Sequence, residues 1–131
     1  MLFRSLLIDR LRAATDRELE ALSHYVTEPI AEKLKTKHPE TAARLYSAMG
    51  MRILNAGKSK YYVEALSNFE NAKRCWEKAD LATRWRAVVD EIRINHKRKY
   101  SFIPQFEEIV VGKNPSAKPS FLERAKNRWK R

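Results

Sequence analysis

Three histidines (His24, His38, His96), one thiol (Cys75) and two adjacent acid pairs (Asp90-Glu91, Glu107-Glu108) are the side chains that a catalytic or metal site would draw on. Their spacing does not assemble one. A zinc site needs several His, Cys or carboxylate ligands at suitable intervals, and these histidines stand far apart with no pair among them. A thiol nucleophile needs a base beside it. Cys75 instead lies between Arg74 and Trp76 on the core side of a helical pattern, where small thiols pack. Neighbouring acids on a helix point in different directions. The three glycines, at 50, 57 and 112, fit no phosphate-binding loop. No catalytic, cofactor-binding or metal-binding residue is assigned, so the chain is expected to be non-enzymatic and to need no cofactor.

Positive charge is the remaining chemical signal. The 131 residues carry a net charge of +11, with a pI of about 10.0, a balance that attracts polyanions. Residues 113–131 hold seven Lys or Arg against Glu123 alone, a net of +6. The other +5 is spread over 112 residues and reads as ordinary solvated surface. Candidate polyanion contacts are Lys97, Arg98 and Lys99, then Arg124, Lys126, Arg128, Lys130 and Arg131 around Trp129, whose indole could stack on a base.

The elements that must position these groups are helical. Gly is scarce and Ala, Leu, Glu, Lys and Arg dominate, which favours helix over strand. Leu2, Phe3, Leu6, Leu7 and Leu11 line one face of a first helix, opposite Arg4, Arg10 and Arg12. That face docks on a neighbouring helix or a second copy. Thr15-Asp-Arg-Glu18 is a capping box. It predicts a helix from Asp16 with Leu19, Leu22 and Val26 inward, kinked or restarted at Pro29 with Thr27 as cap. Pro39 and Glu40 suit a first turn. Ala42, Tyr46, Met49 and Ile53 then mark a helix to about Leu54, stopped by Gly57. Tyr62, Ala65, Phe69, Ala72 and Trp76 mark its partner, about Tyr61 to Lys78. Asp80 is expected to cap the next helix, with Leu81, Trp85, Val88, Val89 and Ile92 buried and His96 as a charge partner at its end. Pro104 opens a short helix through Phe106, Ile109 and Val110 to Gly112. Residues 113–119 read as linker, and Ser120 to Arg131 as a basic terminal helix or tail.

Tyr46-x-x-Met49-Gly50-x-x-Ile53 and Trp85-x-x-Val88-Val89-x-x-Ile92 share one spacing, 39 residues apart. A period of this size points to stacked helical hairpins. Tyr46, Met49-Gly50, Ile53, Gly57, Tyr62, Ala65, Phe69 and Ala72 resemble a tetratricopeptide repeat, and the likeness covers about 42–92. It implies stacked antiparallel hairpins and a peptide groove lined by Arg44, Ser47, Met51, Leu54 and Asn55. A second likeness runs from Tyr62-Val-Glu-Ala-Leu through Trp76, Trp85 to Ile92, His96-Lys-Arg-Lys-Tyr and Phe102-Ile-Pro-Gln-Phe. This resembles the helical C-terminal region of bacterial SWIM-type zinc-finger proteins. The zinc motif is absent, since one cysteine cannot make it. That likeness implies a helical scaffold and a chain that is a piece of a longer protein.

The expectation is a single all-α domain over 1–112, TPR-like, of about five to seven helices. It serves as a non-enzymatic scaffold for protein–protein interaction, with non-sequence-specific nucleic-acid binding through the basic segment as the alternative. A protein partner is expected, and self-association through the Leu2–Leu11 face. There is no run of about eighteen apolar residues to span a membrane. Arg4, Asp9 and Arg10 interrupt any signal-peptide pattern. One cysteine makes no internal disulfide, so a reducing, cytoplasmic setting is expected.

Overall fold

The computed structural model describes residues 2–112, with side chains from Leu7 onward. Among them the fold is all-α: α1 Leu2–Ala13, α2 Asp16–Glu20, α3 His24–Leu34, α4 Pro39–Ala56, α5 Tyr62–Lys78, α6 Ala82–Asn95 and α7 Ile103–Val111. A single 3-10 turn, Ser59–Tyr61, leads into α5. The linker and basic segment expected at 113–131 lie outside the described residues.

Helices α4 and α5 are the centre. Pro39 opens α4, where its missing amide costs nothing, and Gly57 closes it at φ 70°. The Gly57 amide donates back to Ile53 and Leu54, the left-handed stop that a side chain would strain. The two helices approach tightly at Gly50. A Cβ there would lie 2.6–2.9 Å from three ring atoms of Phe69, which is itself fully buried. Absence of a side chain on one helix makes room for a ring on the other.

One buried cluster runs from Ile8 to Ile109. Tyr46, Phe69, Trp76 and Trp85 all lie inside it, as the helical spacing predicts. Of the two adjacent tyrosines, Tyr62 is buried and Tyr61 is 44% exposed. The repeated spacing also falls on buried faces: Tyr46, Met49 and Gly50 of α4, Trp85, Val89 and Ile92 of α6. Phe102, in the short link before α7, is fully buried too. It packs edge-on against Tyr62 at 5.5 Å and Phe69 at 6.1 Å, and stacks on Phe106 at 5.5 Å.

Three local expectations are corrected. The helix starting at Asp16 has its capping box, with Thr15 and Glu18 exchanging both bonds, but it ends at Glu20. Ser23 then accepts from the Tyr25 amide and caps a new helix. Thr27 is no cap: it is buried and its hydroxyl donates back to the Ser23 carbonyl at 3.3 Å. Pro29 sits inside α3. With this break Leu22 and Val26 turn out to solvent, 38% and 51% exposed. On α1 the buried side chains include Ile8 as well as Leu11, with Leu7 at the edge.

Asp80 is the second correction. It ends α5 instead of starting α6. Its φ is 60°, its amide donates to Glu77 at 3.0 Å, and the Leu81 amide donates to Trp76 at 2.8 Å. This is the paired closure that usually takes glycine; Asp is one of the few other residues that tolerate the conformation. The third concerns His96. It ends α6 but is buried, and burial, with the Lys99 ammonium behind it, pushes its pKa below the usual histidine range. The imidazole is neutral at pH 7 and supplies no positive charge.

Candidate binding groove

The hairpin does more than pack. Three of its cations reach carbonyls at or just past the C-terminal ends of neighbouring helices, where the intrahelical ladder runs out. From α4, Arg44 reaches the end of α1, donating to the carbonyls of Leu11 at 2.9 Å and Ala14 at 2.5 Å, and to Asp16 at 3.0 Å. Arg52, two turns on, donates to Ala21 at 2.9 Å and Leu22 at 2.7 Å past the end of α2. Lys73 of α5 donates to Ile109 near the end of α7 at 2.8 Å. Cation and helix dipole are matched in sign each time. Part of the charge read as ordinary surface is therefore structural.

With α1 and α2 fastened on one side, α4 is left as the floor of a trough between α3 and α5. Its volume is about 670 Å³. Tyr25, Glu28 and Glu32 of α3 face Glu64, Ser67, Asn68 and Asn71 of α5 across Tyr46, Met49 and Ile53. Tyr61 stands at the end near the 3-10 turn, with the Lys60 ammonium 5.1 Å from its ring centre. Tyr25 is 80% exposed and stacks against His24 at 4.1 Å. On the floor the Tyr46 hydroxyl donates to Glu32, and Lys35 pairs with the same carboxylate at 2.9 Å. Burial first, then that bond, raises the Tyr46 phenol well above its usual range. The bond lowers Glu32 in turn. The pair is phenol and carboxylate at neutral pH.

The residues that matched a tetratricopeptide groove lie elsewhere on α4. Arg44, Ser47 and Met51 line a smaller cleft, about 110 Å³, between α2, α4 and α6. Ser47 accepts from the Trp76 indole at 3.4 Å. Leu54 is fully buried, and Asn55 is exposed and donates to Glu20 at 3.3 Å. Lys97 and Arg98 are exposed and Lys99 is half-buried; the candidates from Arg124 to Arg131 lie outside the described residues. Cys75 is buried, which raises its thiol pKa, the opposite of an activated nucleophile. Glu107 is held by both nitrogens of Arg93, at 2.7 and 2.8 Å. Among the described residues no three His, Cys, Asp or Glu side chains converge as a metal would need, and no helix is long and apolar enough to cross a membrane.

The trough itself escapes sequence reasoning because its walls come from three helices. One signal was present: Glu28 and Glu32 stand one turn apart on a single face, a like-charge pair that disfavours helix.

No protein-family model, curated protein or solved structure matches the chain.

Proposed function

We propose that the protein is a helical scaffold whose α3–α4–α5 trough receives a segment of another protein. The single observation that carries this is the pair of exposed tyrosines, Tyr25 and Tyr61, at one concave site. Tyrosine is a favoured anchor for protein contacts. Preformed walls reduce the ordering cost of association. The trough offers carboxylates, phenols and amides, groups that bind and orient. The likeness of residues 40–112 to the region that follows a SWIM-type zinc motif supports the same role, as does the tetratricopeptide-like spacing of α4 and α5.

The test is site-specific photo-crosslinking in cells, with the reactive amino acid replacing Tyr25 or Tyr61, and Arg86 on exposed α6 as control. One discrete protein adduct from positions 25 and 61, surviving nuclease and absent from 86, supports the scaffold. Equal adducts from all three, or none, reject it.

A second reading has its own observation. Tyr100 is 78% exposed beside exposed Lys97 and Arg98, an aromatic among cations that suits single-stranded nucleic acid. Nuclease-sensitive adducts concentrated near Tyr100 would favour it.

A further inference from the structure

The trough carries charge of the wrong sign for this chain. Lys and Arg number 27 against 16 Asp and Glu, yet three carboxylates, Glu28, Glu32 and Glu64, face one another across a concave site. Glu28 and Glu32 repel at a spacing where a Lys partner would stabilise the helix. Local choices that oppose stability collect at functional sites. Of the two cations that line it, Arg52 is turned onto the carbonyls past α2, which leaves Lys58, with Lys60 lying over one face of the Tyr61 ring. Glu32 has Lys35 and Tyr46, but none of the four ion pairs in the described fold uses Glu28 or Glu64. Two tyrosine rings border these carboxylates, and a guanidinium can pair with a carboxylate while lying on a phenol face.

We propose that the occupant of the trough is an arginine-bearing segment of a partner protein, its guanidinium groups paired with Glu28 and Glu64 and laid against Tyr25 and Tyr61. This rests on the scaffold reading above. Crosslinking from positions 25 and 61 tests the trough, whereas charge substitution tests its ligand, so the second can fail while the first stands.

The experiment uses the full chain and a labelled peptide of about ten residues alternating Arg with Ala, roughly 33 Å when extended, with fluorescence anisotropy as readout. Net charge of +11 opposes any diffuse attraction of this peptide, so binding reports a local anionic site. The expected result is saturable binding of the Arg peptide and none of a neutral counterpart with Gln at every Arg position. Joint Glu28→Gln and Glu64→Gln should weaken it roughly five- to tenfold, as two partly exposed pairs would. Asp90→Asn with Glu77→Gln, both on other faces, should leave it unchanged. Equal affinity for the two peptides, or indifference to the Glu28 and Glu64 changes, overturns the proposal. Binding that emerges only when Arg124, Lys126 and Arg128 are all changed to Gln also overturns it, by assigning the trough to this chain's own basic segment. A dimer that dissociates in the Glu28 and Glu64 variant assigns it to a second copy.

Discussion

On its C-terminal flank the α4–α5 hairpin is sealed by rings; on its N-terminal flank it is fastened by guanidinium groups. Tyr62, Phe69, Phe102, Phe106 and Trp85 meet at centroid distances of 5.5–6.1 Å. Such contacts are cohesive and indifferent to the direction of the partner chain. Across the hairpin, α2 is only five residues long and buries Leu19. Arg44 and Arg52 donate to carbonyls at the ends of α1 and α2, which fixes where those helices end as well as where they sit. An apolar seam supplies adhesion, whereas a fork of donors supplies register.

The contrast is broken most severely at the apolar seam. Phe69→Ala empties the ring's place against Gly50, Phe102 and Phe106, and should cost about 3–5 kcal/mol, read as a fall in the urea midpoint at constant slope. A loss under about 1.5 kcal/mol would mean the rings are not the cohesive element. Next is Arg44, whose side chain is only 12% exposed. Arg44→Ala should cost about 2–3 kcal/mol, since it removes charged hydrogen bonds to two part-buried carbonyls and to Asp16. Arg44→Lys should recover less than half, because an ammonium cannot reproduce the fork. Full rescue by Lys would reduce the flank to simple charge.

The smallest effect sharpens the comparison through pH. His96, buried at the end of α6, has a folded pKa below the ordinary 6.5. Between that lowered value and about 6.5 the unfolded chain binds the extra proton, so stability falls as pH drops through this window. Glu32 and Glu107, with lowered values, lose their contributions only nearer 4.5. A urea midpoint measured at about pH 7.5 and about pH 5.5 should therefore decline, and His96→Gln should flatten the difference. An unchanged slope in that variant would place the titrating group elsewhere.

The ring seam was the more legible of the two flanks. Tyr62, Phe69, Trp76 and Trp85 announce themselves by recurrence at three and four residues, because burial imposes the helical period directly. Phe102 escaped, since it lies in a link where no period exists. The arginine fastening was invisible: Arg44 meets Leu11 and Ala14 some thirty residues away, and nothing local separates it from a solvated cation. Ser23 and Thr27 compete as caps on equal chemical terms, and tertiary burial of Thr27 decided between them. The trough was the least legible feature. It exists only where α3 and α5 stand apart over α4, so its members share no stretch of chain.

Asp80 has one more implication. The joint it forms between α5 and α6 requires the handedness that ordinary residues resist. A mirror-image residue would satisfy that torsion without strain, and so would glycine. The reversal is therefore encoded in backbone chirality at one position, and the bearing of α6 on the rest of the molecule turns on that single stereochemical exception.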